Sequence, residues 1–523
     1  MKILLELRPA LDGHAGIPQE TRLLFRGLRL IEGLDVEGLI IHSGRVLANG
    51  LPADPTYVGS PESADREIFK LSRVIISLQE SLHPKLLHKT GVDIDQLTGS
   101  LSMVFRHLLG ASQKLTTFDP THFRDFIWRN FFAKTLPNSD FDSITTAKYR
   151  VSRLPWTMMH LCGLNSRTLG FHFYPRLKTS DFNVFISQTP FPGTISKNTT
   201  LVVRYHDAIP VLMPHTISDK TFHQASHYYA LKSNVKNGAY FACVSEATRK
   251  DLLSIFPEAA ERSVTIHNMV SHHYFPEDSS PVRVPEIVRT RMHSGVKISV
   301  IANEPQLQRV KPNAQPPKNN GAAVVAFQYL LMVSTIEPRK NHLTLVSAWE
   351  QMRTEQFPNL KLVIVGMLGW NYESIVKKFK TWQERGELYL LEDVPSPELR
   401  LLYKHAKATI CPSFAEGFDF SGVEAMRCGG AVVASRIPVH EEIYADAAQY
   451  FSPYSTVELV AAIEAVIGRS HTERRKELVA NGAIVSARYL PEVILPKWRE
   501  FLHSKLDQPS LKSTETEIPN DRT

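Results

Sequence analysis

One segment of the chain, residues 408–426, reads ATICPSFAEGFDFSGVEAM. The apolar run Ala408–Cys411 predicts a buried strand, residues 416–422 predict a turn, and residues 423–428 predict the helix that follows. A strand, a glycine-containing turn and a helix in this order predict an α/β fold. The same order is the local arrangement of a phosphate cradle.

The turn supplies groups that suit an anion. The first turn of a helix has unpaired N–H donors and the positive end of the helix dipole. We therefore expect the backbone amides of Ser421, Gly422 and Val423 to point at a phosphate. Glycine at 417 and 422 is expected to let the backbone come close to that ligand.

Two carboxylates, Glu416 and Glu424, flank this turn. Such a pair alone is often only solvated surface. Together with the surrounding residues, however, the pattern resembles the donor-binding signature of retaining nucleotide-sugar glycosyltransferases with the GT-B architecture, most closely glycosyltransferase family four. The resemblance implies two Rossmann-like domains that face each other across a cleft. It also implies that Glu416 contacts hydroxyls of the transferred sugar and that Glu424 holds the ribose of the nucleotide.

A second element of the resemblance lies upstream. Residues 327–334 read as a buried strand that runs into TIEPRKNH, residues 335–342. Pro338 ends the strand ladder, and Arg339 and Lys340 follow where the next helix begins. Two cations at such a turn suit a diphosphate leaving group, although a surface pair is the simpler alternative. A branch of the family shows Glu-Pro-Arg-Lys-Asn here, which implies that Arg339 and Lys340 form the diphosphate clamp.

Two positions depart from the family pattern. Many relatives carry an arginine just after the first of these strands, where this chain has Ser334 and Thr335. The second glycine of the commoner Glu-Gly-Phe-Gly is Asp419 in this chain. A carboxylate beside a diphosphate is repelled unless its side chain points away or meets a cation.

The family also has a strand similar to residues 361–366, with a Gly-Trp passage like Gly369-Trp370 after it. The strand at 387–391 then leads into a loop that contains Val394. In relatives this loop lies against the nucleobase, so the resemblance implies that Val394 contacts the base.

The first half of the chain supplies the opposite wall of the predicted cleft. Residues 2–7 read as a strand, followed by a loop with Gly13 and Gly16 and then a helix. In relatives this loop approaches the sugar-phosphate, which makes Gly16 a donor-binding candidate. A bare pair of glycines is otherwise more typical of a simple turn.

A further strand, residues 200–205, ends at His206-Asp207. The family has a similar strand and His-Asp pair, with the histidine beside the reacting sugar. The resemblance therefore implies that His206 orients the donor sugar, with Asp207 as its partner. The alternative is a structural histidine at a strand end.

These elements predict a division of the chain. The expected ranges are 1–275 for an N-terminal, acceptor-side Rossmann-like domain with a helical insertion at about 50–180, 276–326 for a connecting segment, 327–480 for a C-terminal nucleotide-sugar donor domain, 481–507 for helices that cross back, and 508–523 for a disordered tail.

Composition indicates a globular protein. The chain has 523 residues, enough for two or more domains, with 43% hydrophobic and 22% charged residues. Its four cysteines have neither metal-ligand nor disulfide spacing, which suits a reducing cytoplasm. We expect no signal peptide and no apolar run near the roughly 20 residues of a membrane-spanning helix. A cytoplasmic location, in solution or at the inner face of the membrane, is therefore expected.

The net charge of +7 favours anionic partners. No pattern resembles a nucleic-acid-binding module, so we expect no nucleic acid. The aromatic stretch 123–132 would suit a membrane interface, but the favoured alternative packs its aromatic face on its own domain. The Asp-x-Asp patterns at 93–95 and 140–142 read as surface acids, so we expect no catalytic metal and no cofactor.

The resemblance implies a retaining, metal-independent glycosyltransferase of surface polysaccharide synthesis. Its donor would be a GDP- or UDP-sugar, with mannose as the candidate sugar. Its acceptor would be a hydroxyl of a glycan or of a lipid-linked acceptor, with the departing phosphate taking the proton. One alternative is a catalytically silent GT-B protein that binds nucleotide sugar or glycan as a scaffold or regulator. Another is a peripheral membrane-binding protein without activity.

Overall fold

The computed structural model describes residues 1–14, 16–52, 61–79, 112–167, 173–293, 328–468, 470 and 472–506. These residues form two α/β units, one with an eight-stranded and one with a six-stranded sheet. The predicted tail, residues 93–95 and most of the predicted connecting segment lie outside the described residues. The α/β class expected from the sequence is confirmed.

The first unit contains strands β1 Lys2–Glu6, β2 Asp35–Ile40, β3 Ser112–Lys114, β4 Thr116–Phe118, β5 Tyr149–Val151, β6 Arg176–Lys178, β7 Val184–Ser187, β8 Thr200–Tyr205, β9 Tyr240–Cys243 and β10 Ser263–Thr265. The large sheet has the order β10-β9-β8-β7-β1-β2-β5-β4, and β3 pairs with β6 separately. All of its strands are parallel to their neighbours except β4. Strand order reverses between β1 and β7, and open α/β sheets bind ligands beyond the carboxyl ends at such a switch point.

The second unit contains strands β11 Tyr329–Val333, β12 Lys361–Val365, β13 Leu388–Leu391, β14 Ala408–Cys411, β15 Val432–Ser435 and β16 Ala448–Phe451. They form a wholly parallel sheet of order β13-β12-β11-β14-β15-β16. Its switch point lies between β11 and β14. The two loops that the sequence singled out, after β11 and after β14, are therefore neighbours.

Helices cover both faces of each sheet. Their bounds are α1 Ile17–Arg29, α2 Pro61–Gln79, α3 Arg124–Ile127, α4 Phe141–Thr145, α5 Trp156–Ser166, α6 Ile209–Leu212, α7 Lys220–Lys236, α8 Glu246–Ile255, α9 Val284–Arg291, α10 His342–Glu355, α11 Glu373–Glu384, α12 Ser396–His405, α13 Phe420–Arg427, α14 Pro438–Tyr444, α15 Thr456–Ile467, α16 Thr472–Ala487 and α17 Pro491–Leu506. In β1, Ile3 and Leu5 pack into the core on one face and Leu4 into the core on the other. Strands buried on both faces read as continuous apolar runs, as β1 and β11 do.

Two segments join the units. Helix α9 lies inside the predicted connecting segment, and its Val284, Ile287 and Val288 are buried in the core of the second unit. At the other end of the chain, Tyr489 packs in the second unit, whereas Trp498 of α17 packs in the first. The domain limits drawn from the sequence stay predictions.

One described stretch, residues 472–504, is long enough to span a membrane, and an apolar window of 18 residues within it has a mean hydropathy of 1.3. In the structure it consists of α16 and α17, which a turn at residues 488–490 separates. Of the apolar window, 39% is buried inside the protein. This is weak evidence for a membrane span, since core helices of soluble proteins pass the same test.

The aromatic stretch 123–132 does not present its main aromatic side chains to solvent. Trp128, Phe131 and Phe132 are buried in the core of the first unit, beside Phe25. This matches the alternative in which the aromatic face packs on its own domain. A membrane contact through these three side chains is therefore wrong, because they are already enclosed by protein.

Candidate active site

Two loops of the second unit meet at its switch point. The loop after β11 carries Arg339 and Lys340 on a 3-10 turn, and the loop after β14 carries Glu416. Asn341, in the left-handed conformation with φ 61°, ties the loops together, since its Nδ2 donates to the Pro412 carbonyl at 3.0 Å. The three predicted donor-site residues are thereby held side by side.

Glu416 lies between the two cations. Its Oε2 is 2.7 Å from Arg339 Nη1 and its Oε1 is 2.5 Å from Lys340 Nζ. Glu337 Oε1, 2.7 Å from Arg339 Nη2, also pairs with the guanidinium. Burial acts to raise the pKa of Glu416, but the charges of Arg339 and Lys340 outweigh burial and hold the pKa below its usual value. Glu416 is therefore ionised at neutral pH and neutralises the predicted clamp.

Gly417 is where this loop touches the first unit. A Cβ built on Gly417 would lie 1.7 Å from the carbonyl oxygen of His206. Ser245 Oγ, at the start of α8, donates to the Gly417 carbonyl at 2.8 Å. The close approach that Gly417 allows in this structure is to the backbone of the opposite unit, and its approach to a ligand stays a prediction.

His206 and Asp207 lie on the first unit, facing the Arg339 and Glu416 cluster. The nearest side-chain partner of His206 Nε2 is Gln188 Oε1 at 3.4 Å. Asp207 does not pair with His206 as expected, since its Oδ1 accepts from the Ile209 amide at 3.0 Å. Burial, and then the charge of Arg204, hold the pKa of His206 well below its ordinary value. The imidazole is therefore neutral at pH 7.

Glu424 is held from both units. Gln19 Nε2, in the first turn of α1, donates to its Oε1 at 2.9 Å, and Tyr403 Oη donates to its Oε2 at 3.0 Å. Burial raises the pKa of Glu424 to about 7, against the opposing effect of these hydrogen bonds. The carboxylate predicted to hold ribose already has a partner from across the cleft.

The first turn of α13 differs from the predicted phosphate cradle. Asp419 caps this helix, accepting from the Ser421 amide at 3.0 Å and from Ser421 Oγ at 2.6 Å. A Cβ on Gly422 would lie 2.3 Å from Tyr444, so packing beneath the helix requires this glycine. The Ser421 amide is thus occupied by a carboxylate, and anion binding by the amides of Gly422 and Val423 stays a prediction.

The contacts of Asp419 explain how a carboxylate is tolerated at the position where the family commonly has glycine. Its Oδ2 lies 3.3 Å from His440 Nε2. Burial acts to raise the pKa of Asp419, but the contact with His440 and the charge of Lys340 hold the pKa well below its usual value. The Asp419 carboxylate therefore contacts the His440 side chain and caps the N-terminus of α13.

The remaining donor-binding candidates occupy different surroundings. Gly16 precedes α1 with φ 71°, and a Cβ there would meet no atom within 4 Å, so it borders open space. The side chain of Val394 is buried in the core of the second unit. Contact of Val394 with a base stays a prediction. The preceding Asp393, with φ 50°, is exposed, 3.5 Å from His14 of the first unit.

Sequence reasoning missed several supporting residues. Gln19 and Tyr403 contact Glu424 only after the chain folds, so local sequence carries no sign of them. Glu337 was visible inside the Glu-Pro-Arg-Lys-Asn pattern, next to the arginine that it pairs with. Among the described residues no group of three or more His, Cys, Asp or Glu side chains suits a metal. Asp140 instead pairs with Arg26 at 2.6 Å.

The second unit is similar in sequence to a known family, and the whole fold is similar to solved structures. Residues 320–484, about a third of the chain, match the family model of glycosyl transferases group 1. The chain superposes on sucrose-phosphate synthase from Thermosynechococcus elongatus with a TM-score of 0.56 and 13% identity, and the match covers 96% of this chain and 98% of that one. The chain has the GT-B fold. The Arg339, Lys340 and Glu416 cluster lies on the second unit, next to the point where Gly417 meets His206 of the first unit.

Two curated relatives are mannosyltransferases. The chain is 31% identical over 217 residues to the serotype-specific mannosyltransferase WbdA of Escherichia coli, a match of 40% of this chain and 26% of that protein. It is 26% identical over 234 residues to the O-antigen chain mannosyltransferase B of Escherichia coli, a match of 45% of this chain and 52% of that protein. The chain thus matches about a quarter to a half of the length of these relatives.

Proposed function

We propose that the protein is a retaining glycosyltransferase that moves a sugar from a nucleoside diphosphate sugar to a hydroxyl. The observation that supports this most is the convergence of Arg339 and Lys340 on Glu416 at the switch point of the second sheet. The cluster faces the first unit where Gly417 meets His206. Charged groups fixed before the substrate arrives suit stabilisation of a leaving diphosphate.

In the absence of donor, Glu416 takes the place of the diphosphate between Arg339 and Lys340. Without donor, its carboxylate neutralises Arg339 and Lys340. A diphosphate takes over both cations, since charge-assisted bonds to phosphate are strong and an arginine can bind it through two N–H groups. Glu416 is then released to accept hydrogen bonds from hydroxyls of the transferred sugar. The ribose replaces Gln19 as the donor to Glu424 Oε1.

No side chain of the cleft is assigned as a general base. His206 is buried and neutral, and its role is to orient the sugar. The departing phosphate takes the proton of the attacking hydroxyl, which suits retention of the anomeric configuration. Transfer is proposed to need no metal, so a chelator should leave it unchanged.

We propose mannose as the transferred sugar and surface polysaccharide synthesis as the setting, since both relatives are named mannosyltransferases and one acts on the O-antigen chain. The acceptor is a glycan or a lipid-linked glycan, and the reaction takes place in the cytoplasm or at the inner face of the membrane. The donor is a GDP-sugar or a UDP-sugar.

Thermal-shift measurements with GDP, UDP, GDP-mannose, UDP-glucose and UDP-N-acetylglucosamine identify the donor. The best donor is then incubated with octyl α-D-mannopyranoside and with octyl β-D-glucopyranoside, and the products are analysed by mass spectrometry and by NMR of the anomeric proton. The proposal expects a product with the donor's anomeric configuration. Nucleotide-sugar binding without transfer or hydrolysis would instead support the catalytically silent alternative, and an inverted product would contradict retention.

A further inference from the structure

The N-terminus of α8, in the first unit, receives a carboxylate from the second unit. Glu442 of α14 accepts from the Glu246 amide through its Oε1 at 2.7 Å and from the Ala247 amide through its Oε2 at 2.9 Å. The first N–H groups of a helix have no partner within the helix, and the positive end of the helix dipole favours an anion. A side chain 195 positions from Ala247 therefore completes the cap of α8.

The cap of α8 is divided between the two units. Ser245, the N-cap residue, accepts from the Thr248 amide at 3.0 Å, and Glu442 takes the two amides in between. The carboxylate of Glu246 is engaged within its own unit, where it accepts from Thr265 Oγ1 at 2.7 Å. The first unit thus supplies one part of the cap and depends on the second unit for the other part.

A histidine of the first unit also holds Glu442. His267 Nε2 lies 2.8 Å from Glu442 Oε1. Tyr489 packs its ring against His267, with centroids 5.5 Å apart, and donates through its Oη to the Ile443 carbonyl of α14 at 2.9 Å. Burial acts to raise the pKa of Glu442, but the hydrogen bonds from His267 and from the two α8 amides outweigh burial and hold the pKa below its ordinary value. Glu442 is therefore ionised at neutral pH.

The same short helix supports the loop that carries Glu416. His440 of α14 is fully buried, and its Nε2 lies 3.3 Å from Asp419 Oδ2, at the end of that loop. Its Nδ1 lies 2.9 Å from the Ser435 carbonyl oxygen, and Ser435 Oγ donates to the Ser413 carbonyl at 2.6 Å, at the start of the loop. Both ends of the Glu416 loop are therefore fixed to α14 or to the strand end just before it.

We propose that Glu442 is a positioning residue for sugar transfer: by capping α8 of the first unit it fixes α14, and through α14 the Glu416 loop, in register with His206. The proposal rests on the glycosyltransferase function proposed above. It adds a residue that contacts neither donor nor acceptor and acts through His440 and the loop. Because Arg339 and Lys340 lie within the second unit, loss of Glu442 should slow transfer and leave binding of the free nucleoside diphosphate intact.

Glu442→Ala tests the proposal, with Glu441→Ala as the matched control. Glu441 is the preceding residue of α14, has the same charge, and pairs with Arg436 of its own unit at 3.0 Å. Glu442→Ala should lower kcat for transfer to octyl α-D-mannopyranoside by about tenfold to a hundredfold, since small displacements of reacting groups cost rate steeply. Calorimetry with GDP and with UDP should give the wild-type Kd. Glu442→Gln keeps an oxygen for one α8 amide and should lose less, and Glu441→Ala should match wild type.

Hydrogen exchange followed by mass spectrometry separates positioning from a local structural role. In ligand-free Glu442→Ala, exchange should rise both in residues 245–249 of the first unit and in residues 413–419 of the second, because the proposal couples the two segments through α14. A cap that only stabilises α8 would raise exchange in residues 245–249 alone. Glu441→Ala should leave both segments as in wild type.

Wild-type kcat in a folded Glu442→Ala, an equal loss in Glu441→Ala, or a rise in exchange confined to residues 245–249 would overturn the positioning role while the transferase function stands. If circular dichroism shows that Glu442→Ala does not fold, Glu442→Gln carries the test, with the same pattern expected at smaller size. If wild type neither transfers to any glycoside nor hydrolyses donor, the proposed function itself fails. The exchange measurement needs no activity, so it then still decides whether Glu442 couples α8 to the Glu416 loop.

Discussion

Gln19, in the first turn of α1, donates a 2.9 Å hydrogen bond to Glu424 in α13 of the opposite unit. Burial raises the pKa of Glu424 to about 7 from an ordinary value of 4.5. Between these values the folded protein keeps a proton that the unfolded chain has lost. The contribution of Glu424 to stability therefore falls as pH rises through this window.

Glu424→Gln should remove that pH dependence. The difference in Tm between variant and wild type, without ligand, should become more favourable to the variant from about pH 5 to about pH 8. Scanning calorimetry at several pH values measures it. A difference that stays constant with pH would show that Glu424 does not titrate in this window.

Asp419→Ala should lower the free energy of unfolding by about 1 to 2 kcal/mol, because it removes the cap of α13. Asp419→Asn should lose less, since an amide oxygen can still accept from the Ser421 amide. Urea unfolding followed by circular dichroism gives both values. Equal stability of wild type and Asp419→Ala would show that the cap contributes nothing.

Gly417→Ala should separate the loop from the first unit, because its Cβ would lie 1.7 Å from the His206 carbonyl. We expect transfer to fall at least tenfold and the radius of gyration from small-angle scattering to increase. The control is Gly44→Ala, where a Cβ meets no atom within 4 Å. Wild-type transfer by Gly417→Ala would mean that this contact is not part of the active arrangement.

The sequence alone predicts the site residues that lie in continuous motifs. Arg339, Lys340 and Glu416 are predictable because each follows an apolar strand, and parallel strands at a switch point bring such loops together. The packing roles of Gly417 against His206 and of Gly422 against Tyr444 are not visible in the sequence, since a glycine required by packing has the same local pattern as one that makes room for a ligand. Only contacts between segments that are distant in the sequence distinguish these two kinds of glycine.

The contact between Gln19 and Glu424 also cannot be predicted from the sequence. Gln19 lies 405 positions from Glu424, and a polar residue in the first turn of a helix has no pattern that indicates a partner in another unit. Val394 is assigned to the donor site through its loop alone, and the sequence does not show that its side chain packs in the core of the second unit.

Arg339→Ala and Lys340→Ala should each slow transfer by about 2 to 4 kcal/mol in kcat/KM, because each removes a charge that stabilises the leaving diphosphate. Lys377→Ala, an exposed lysine on α11, is the charge-matched control. Steady-state kinetics with the identified donor measures all three. Wild-type kinetics in both clamp variants would remove these residues from the mechanism.

The most direct test of the account is calorimetry of the free nucleoside diphosphate on Glu416→Gln, set beside its steady-state kinetics. If Glu416 only stands in for the diphosphate and otherwise contacts the sugar, its neutral variant should bind the diphosphate as tightly as wild type or more tightly, while kcat falls strongly. A folded Glu416→Gln that no longer binds the diphosphate, or that keeps wild-type kcat, would contradict the proposed role of the Arg339, Lys340 and Glu416 cluster.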